Sequence, residues 1–371
     1  MSPPSPRHLF LTADAIGGVW TYATDLARAF ARQGVRTTLA VLGPSPKPEQ
    51  RRAAETTPGL RIVPTGLPLD WLATGPHALD TATRRLVHMA GESGADIVHL
   101  NSPALAVGAR FEQPVVGVCH SCLATWWDAV KGGELPHDFA WKTERLASGY
   151  AACDALIVPS FAFMQATAAR YGFVPRVVRN GRAPPTAPAT GAKHPFVLAS
   201  GRFWDEAKNI RALDAVAGCM ARGRVYAAGP LSHGQAEAPA LEAVVGLGAV
   251  APEALAGWLA RAAVFASLAL YEPFGLGVLE AAQAGCALVL SDIPTHRELW
   301  EGAALFVDPS DTDAAAGTLD RLLARPAEAA RLGALAERRA RAFTVEAMAE
   351  ATMAVYRELL AGRSRLTEAA A

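Results

Sequence analysis

The 371-residue sequence lacks an excess of charge of either sign. Its 35 lysines and arginines balance its 35 aspartates and glutamates, and both kinds of residue are spread along the chain. A protein whose main partner is a nucleic acid needs a basic excess to neutralise phosphates. The balance therefore argues against nucleic-acid binding, and the scattered charges give no sign of an amphipathic membrane anchor.

Long hydrophobic runs are also missing. No stretch approaches the roughly 18 unbroken apolar residues of a transmembrane helix, so no membrane-spanning segment is expected. The opening residues, MSPPSPRHLF, contain neither the apolar core nor the small-residue cleavage site of a secretory signal. The sequence thus predicts a soluble, cytoplasmic protein.

Cysteine is scarce. The five cysteines are an odd number scattered through apolar segments, which predicts free buried thiols in a reducing compartment. Cys119 and Cys122 form a C-x-x-C pair, but no second pair follows at the spacing of a zinc site. Zinc binding and redox chemistry are therefore disfavoured.

What the sequence does contain is an alternation of short β-rich runs with longer amphipathic segments, typical of a parallel α/β architecture. Strands are predicted at residues 8–14, 115–120 and 155–160 in the first half, and the alternation restarts at residue 196. Several runs are continuously apolar, as expected for strands covered on both faces.

The alternation is interrupted once, by a segment rich in Pro and Ala where helix and central strand are both disfavoured. We interpret residues 183–194 as a linker between a domain at 1–182 and a second domain at 195–343. The last segment, 344–371, has a helical pattern and is expected to pack back on the first domain. The chain reads as two Rossmann-like domains facing across a cleft.

The most informative motif is YEPFGLGVLEAA, at residues 271–282. A glycine-containing turn precedes a helix there, and the free N–H groups of a helix start suit a diphosphate. Gly275 and Gly277 allow the backbone to approach a ligand closely. Glu272 and Glu280 are poor phosphate ligands but good acceptors for the hydroxyl groups of a ribose and a sugar.

This E-x7-E motif with its E-P-F-G-L core resembles the donor-site motif of glycosyltransferase family 4, retaining enzymes of the GT-B fold. The resemblance implies that Glu272 contacts donor-sugar hydroxyls and that Glu280 contacts the ribose. It also implies that the amides of Phe274, Gly275 and Leu276 face the sugar and the diphosphate.

A second match is GRFWDEAKN, at residues 201–209, which resembles the family's G-R-x-x-x-x-K loop. By that resemblance Arg202 and Lys208 bind the diphosphate, and two cations there stabilise the charge of the leaving group. The two residues stand one position further apart than in the commonest family spacing.

The first domain offers weaker signals. Gly17 and Gly18 follow the first strand, where the family's loop approaches the diphosphate and the acceptor. His120 is predicted to end the strand at 115–120, where the family often carries a histidine near the donor sugar. Trp126 and Trp127 follow on an expected acceptor-side loop, and at most one of them would line the site because helical neighbours diverge by about 100 degrees.

Other segments also resemble the family. Gly229 and Pro230 follow a strand of the second domain, and Gly229 is taken as a donor-site residue. Asn180-Gly181 and residues 291–298 are interpreted first as structural elements of the fold rather than as ligand-binding residues.

No cofactor or metal is expected. Asp311-Thr312-Asp313 has the form of a D-x-D metal motif, but a helix N-cap and an acidic first turn explain it. The substrates expected are a nucleotide-diphosphate sugar and a glycan, lipid-linked or small-molecule acceptor.

The sequence therefore predicts a metal-independent, retaining hexosyltransferase. Two alternatives remain open: a nucleotide-sugar epimerase of the same fold, and a non-catalytic protein that binds nucleotide sugars. The donor base and sugar, the acceptor, the linkage and the oligomeric state are not indicated.

Overall fold

A computed structural model describes residues 5–184, 192–234 and 236–370. It divides the chain into two compact units, of which the first comprises residues 1–181 and 345–371 and the second residues 182–344. Most of the predicted linker, residues 185–191, lies outside the described residues.

The first unit is built on a seven-stranded sheet in which every described pairing is parallel. Its strands are β1 (His8–Asp14), β2 (Arg36–Leu42), β3 (Leu60–Pro64), β4 (Ile97–Leu100), β5 (Val115–Val118), β6 (Ala155–Val158) and β7 (Arg176–Val177). Its helices before the linker are α1 (Gly18–Arg32), α2 (Pro48–Glu55), α3 (Pro76–Ser93), α4 (Leu123–Val130), α5 (His137–Ala152) and α6 (Phe161–Tyr171). The strand order is β3-β2-β1-β4-β5-β6-β7, so the order reverses between β1 and β4.

The second unit repeats this plan with six parallel strands in the order β12-β9-β8-β13-β14-β15. These strands are β8 (His194–Ser200), β9 (Val225–Ala228), β12 (Val245–Gly248), β13 (Ala262–Ser267), β14 (Ala287–Ser291) and β15 (Leu305–Val307), and a small hairpin is formed by β10 (Ser232–His233) and β11 (Ala236–Glu237). The helices are α7 (Ile210–Cys219), α8 (Pro252–Arg261), α9 (Leu276–Gln283), α10 (Pro294–Trp300), α11 (Thr312–Ala324) and α12 (Pro326–Ala340). Here the strand order reverses between β8 and β13.

The last helix, α13 (Val345–Ala370), belongs to the first unit although it follows the second in the chain. Met348, Ala349, Met353 and Tyr356 on α13 are buried in the apolar cluster that also contains residues of β1 and α1. The helix thus covers part of the first sheet.

The central strands are buried because helices cover both faces of each sheet. All four residues of β4 and all five of β14 are buried, as the continuous apolar runs of the sequence predict. The α/β fold with two parallel sheets is therefore confirmed. In such sheets ligands bind beyond the carboxyl ends of the strands, where the strand order reverses.

Two predictions about single residues need correction. The strand predicted at 115–120 ends at Val118, so His120 lies two residues beyond β5. The five cysteines are free, as predicted, but only Cys119, Cys122 and Cys286 are buried. Cys153 is partly exposed, and Cys219 is exposed because it ends α7 at the surface.

Candidate active site

The loop that leads into α9 is shaped by glycine. Gly275 is the N-cap of α9 and has φ +87°, a conformation that L side chains rarely adopt. A Cβ atom there would lie 3.2 Å from Cγ of Glu272 and 3.3 Å from Cγ2 of Val278. The first N–H groups of any α-helix have no intrahelical partner. In α9 no side chain caps them either. This helix start is therefore suited to an anion.

Two further glycines bring neighbouring loops together at the carboxyl edge of the second sheet. A Cβ atom on Gly277 would lie 2.6 Å from the hydroxyl oxygen of Ser200, the last residue of β8. One on Gly229 would lie 1.8 Å from the carbonyl oxygen of Gly201. The loops after β8 and β9 and the start of α9 thus converge where β8 neighbours β13.

An ion pair between Lys208 and Glu272 joins two of these loops. The Lys208 ammonium donates to Oε2 of Glu272, and the two side chains are 18% and 16% exposed. Burial raises the pKa of the Glu272 carboxyl. The positive charge of Lys208, with smaller contributions from His296 and Arg202, lowers the pKa by more than burial raises it, so the net pKa lies below its ordinary value. Glu272 is therefore a carboxylate at neutral pH.

Arg202 is more exposed than Lys208. Its guanidinium lies 3.5 Å from Oδ2 of Asp205 and 5.3 Å from the ring centroid of Trp204. Asp205 in turn caps the short 3-10 turn Glu206–Lys208 by accepting from the amide of Ala207 at 3.0 Å. The two cations predicted to bind the diphosphate thus sit in one loop, although Lys208 has a carboxylate partner that the sequence did not reveal.

Glu280 is paired with a residue that sequence reasoning missed. Nε of Arg182 donates to Oε1 of Glu280 at 2.7 Å, and the Gln283 side chain donates to the carbonyl oxygen of Arg182 at 2.8 Å. Arg182 directly follows the Asn180-Gly181 pair, a segment that resembles the family. Its position next to that pair is the sequence feature that could have identified it as a candidate site residue. The guanidinium holds one oxygen of Glu280, which leaves Oε2 as the oxygen for a further hydrogen bond.

His296 is a second missed residue, within a segment interpreted as architecture. Its ring is fully buried, and Nδ1 contacts the carbonyl oxygen of Ser291 at 3.0 Å. Burial lowers the pKa of His296, while the nearby Glu272 carboxylate acts in the opposite direction. His296 therefore belongs to the electrostatic environment of the Lys208–Glu272 pair.

The side chains of Phe274 and Leu276 pack into an apolar cluster of the second unit. Phe274 is 3% exposed and packs edge-on against Phe343, with ring centroids 5.7 Å apart. The partly buried side chain of Leu276 packs against the apolar cluster that contains Phe274 and Phe343. The side chains anchor the loop, and this is compatible with the predicted role of their amides.

In the first unit, Gly17 lies between β1 and α1 as the N-cap of α1, and Gly18 is the first residue of that helix. His120 lies at the carboxyl edge of the same sheet. Its ring packs edge-on against Tyr22 of α1, with centroids 4.5 Å apart, and its Nε2 lies 2.9 Å from Oδ1 of Asn101. Burial lowers the pKa of His120 to about 4. The ring is therefore neutral at neutral pH.

Trp126 and Trp127 both lie on α4, with ring centroids 6.5 Å apart. Trp127 packs edge-on against Phe139 of α5 at 5.7 Å, which is a core-type contact. Both side chains remain partly exposed. The acceptor role of these residues stays a prediction.

Two family models match the chain. The model described as Glycosyltransferase Family 4 matches residues 16–183, and the model described as Glycosyl transferases group 1 matches residues 194–325. The chain belongs to glycosyltransferase family 4. The resemblance seen in the E-P-F-G-L motif is thereby confirmed at the level of the family.

One curated relative of this glycosyltransferase is an MMP alpha-(1->4)-mannosyltransferase of Mycolicibacterium hassiacum, 38% identical over 113 residues. That match covers 29% of the chain and 28% of the relative's length.

Solved structures share the fold. A sucrose-phosphate synthase from Thermosynechococcus elongatus has a TM-score of 0.77 at 20% identity, over 96% of this chain and 100% of that one. HepE of Anabaena, solved in complex with UDP-glucose, has a TM-score of 0.70 at 19% identity, over 94% of this chain and 98% of that one. The GT-B fold of this glycosyltransferase is confirmed.

The D-x-D segment of this glycosyltransferase forms a helix start. Oδ1 of Asp311 accepts from the amide of Ala314 at 2.9 Å, which makes Asp311 the N-cap of α11. Among the described residues, no group of three or more His, Cys, Asp or Glu side chains is placed to hold a metal ion. In the same residues, no helix combines the length and apolarity that a membrane crossing requires.

Proposed function

We propose that this glycosyltransferase retains anomeric configuration and transfers a hexose from a nucleotide-diphosphate sugar to an acceptor hydroxyl without a bound metal ion. The observation that carries the proposal is the uncapped start of α9, set by Gly275 beside the Lys208–Glu272 pair. This arrangement places helix N–H groups, a cation and a carboxylate at one edge of the second sheet.

The diphosphate is assigned to the amides at the start of α9 and to the cations Arg202 and Lys208. Both side chains follow β8 and lie near the reversal point of the strand order, where α/β proteins bind ligands. Two cations and a helix dipole can balance the charge that develops on a departing diphosphate. Gly229 serves this site by letting the loops after β8 and β9 approach closely.

The carboxylates are assigned to hydroxyl groups. Glu272 uses one oxygen for Lys208, and its second oxygen can accept a hydrogen bond from the donor sugar. Glu280 uses Oε1 for Arg182, and its Oε2 can accept from the ribose. In the first unit, His120 is assigned to a sugar hydroxyl, Gly17 and Gly18 to the diphosphate and acceptor, and Trp126 or Trp127 to the acceptor.

In the proposed step the bond between the anomeric carbon and the diphosphate oxygen breaks. The acceptor oxygen forms its bond to that carbon on the same face, and the proton of the acceptor hydroxyl passes to the departing diphosphate. The products are a glycoside of unchanged anomeric configuration and a nucleoside diphosphate. No enzyme nucleophile and no metal ion take part in this scheme.

The test is a calorimetric and hydrolysis screen of the purified chain against UDP-, GDP- and ADP-sugars in the presence of a chelator. We expect one nucleotide to bind, and Glu280→Ala to abolish that binding. Glu358→Ala is the matched control, because Glu358 also pairs with an arginine, Arg176, but at an exposed surface of the first unit.

Each contrary outcome of the screen has a distinct meaning. Absence of binding to all three donor classes would contradict the proposal. Release of a free epimer would indicate an epimerase, and binding without hydrolysis or transfer would indicate a non-catalytic binding protein. Loss of turnover on chelation, restored by a divalent cation, would overturn metal independence.

A further inference from the structure

A chain of hydrogen-bonding side chains links the C-terminal helix α13 to the carboxyl edge of the first sheet. The hydroxyl of Tyr356 lies 2.5 Å from Nδ1 of His99, and Nε2 of His99 lies 3.2 Å from Oδ1 of Asn101. The same oxygen lies 2.9 Å from Nε2 of His120. Tyr356 and His99 are fully buried, whereas Asn101 and His120 are partly exposed. The buried end thus supports an end that a ligand can reach.

The orientation of the Asn101 amide is set by Thr12. Nδ2 of Asn101 donates to the carbonyl oxygen of Thr12 at 2.6 Å, and its backbone N–H donates to the Thr12 hydroxyl at 3.0 Å. Turning the amide over would place two carbonyl oxygens 2.6 Å apart, and neither can donate. The Asn101 oxygen therefore faces the two histidine rings.

This orientation decides the tautomer of each ring. An amide oxygen can only accept, so both Nε2 atoms must carry the hydrogen. A neutral imidazole carries one N–H, which leaves Nδ1 of His99 as the acceptor for the Tyr356 hydroxyl. The short contact between the Tyr356 hydroxyl and Nδ1 of His99 is therefore consistent with the tautomer that Asn101 assigns to His99.

Both rings are neutral under ordinary conditions. Burial lowers the pKa of His99 to about 3 and that of His120 to about 4. Neither ring then carries the second hydrogen that would remove its acceptor atom. The ring of His120 is further held in place by its edge-on contact with Tyr22.

We infer that Asn101 is a positioning residue that holds His120 in the Nε2–H tautomer, so that Nδ1 of His120 accepts a hydrogen bond from a sugar hydroxyl. The assignment to a sugar hydroxyl rests on the proposed function. A neutral ring with a free lone pair is suited to a hydroxyl group and unsuited to a diphosphate, which requires donors or cations.

The tautomer can be measured without any substrate. In the full chain labelled with ¹⁵N at histidine, long-range proton–nitrogen correlations distinguish protonated from unprotonated ring nitrogens. The His120 signals are assigned by their loss in His120→Gln. We expect Nε2 to be protonated and Nδ1 to be unprotonated at neutral pH. The reverse tautomer, or a mixture of the two, would overturn the inference.

Asn101→Ala tests the positioning role. Removing the amide oxygen frees His120 to exchange between tautomers, and we expect kcat/KM for the nucleotide sugar to fall about tenfold, the worth of one hydrogen bond. The control is Thr83→Val, which removes a different buried hydrogen bond of the first unit, from Thr83 to the carbonyl oxygen of Leu105 at 3.0 Å. We expect that variant to keep both the tautomer and kcat/KM.

The outcomes separate this inference from the proposed function. A wild-type chain that shows the expected tautomer but turns over no nucleotide sugar would refute the proposed function. The role of His120 in binding a sugar hydroxyl would then fail as well. Asn101 would still set the tautomer of His120. An active enzyme in which Asn101→Ala changes neither the tautomer nor kcat/KM would refute the positioning role alone.

Discussion

Lys208 and Glu272 form an ion pair that ties the loop after β8 to the loop before α9. Both side chains are more than four-fifths buried, at 18% and 16% exposure, so water screens their attraction only weakly. The pair holds a cation and a carboxylate at the edge of the second sheet in defined positions.

Lys208→Ala is expected to lower kcat/KM for the donor by about a hundredfold to a thousandfold, because one source of leaving-group stabilisation is removed. The variant also leaves Glu272 without its cation and is expected to lose about 1–3 kcal/mol of unfolding free energy. Lys208→Arg keeps the charge and should recover part of the activity. Donor hydrolysis and urea unfolding measure the two effects, and full activity in Lys208→Ala would refute the role of this lysine.

Gly275→Ala should both destabilise the protein, by about 1–2 kcal/mol, and weaken donor binding, because φ is +87° at this residue. Gly257→Ala is the matched control. Gly257 lies inside α8 with nothing within 4 Å of an added Cβ atom, so alanine there should stabilise by about 0.5–1 kcal/mol. Urea unfolding and calorimetry test this contrast, and equal effects of the two substitutions would count against it.

Arg182→Ala is expected to weaken donor binding about threefold to tenfold, because Glu280 loses the charged hydrogen bond that orients it. Calorimetric titration with the nucleotide sugar measures the change. Arg176→Ala is the control: it removes an arginine from a comparable but exposed ion pair, and it should leave the affinity for the donor unchanged. Unchanged affinity in Arg182→Ala would show that Glu280 needs no such support.

Stability should fall as the pH is lowered from 7 to 5. The folded-state pKa values of His99, about 3, and His120, about 4, lie below the ordinary value of 6.5, so in this range the unfolded chain takes up protons that the folded chain does not. Each ring should contribute a loss of about 2 kcal/mol over that interval. The groups around His99 are Tyr356, Tyr22 and Asn101, with His120 beyond, and none of them is a carboxylate that would favour a charged ring.

Urea unfolding at the two pH values checks this prediction. In His99→Gln the difference between pH 7 and pH 5 should shrink by about 2 kcal/mol. His88→Gln is the control, because the His88 side chain is 71% exposed, and it should leave the difference unchanged. A pH-independent stability of the wild-type protein would contradict the burial of neutral histidines.

The sequence was informative where a feature is local. The sequence predicts the first strand at residues 8–14, and β1 spans the same residues, because one apolar run there is bounded by polar and glycine-rich segments. The glycines and the E-P-F-G-L core likewise predict the turn before α9. Family and fold followed from these local patterns, and the comparisons confirm both.

The pairings within the site were not predictable, because each depends on how distant segments pack. Lys208 and Glu272 are 64 residues apart, Arg182 and Glu280 are 98 apart, and His99 and Tyr356 are 257 apart. The charge pattern around such residues does not reveal their partners.

The most direct test of retaining transfer follows donor hydrolysis by proton NMR, immediately after the chain is mixed with the nucleotide sugar that it binds. Water replaces the acceptor in this reaction, so no acceptor has to be known. The account predicts that the first sugar released has the anomeric configuration of the donor, before mutarotation sets in. Initial release of the opposite anomer would contradict it.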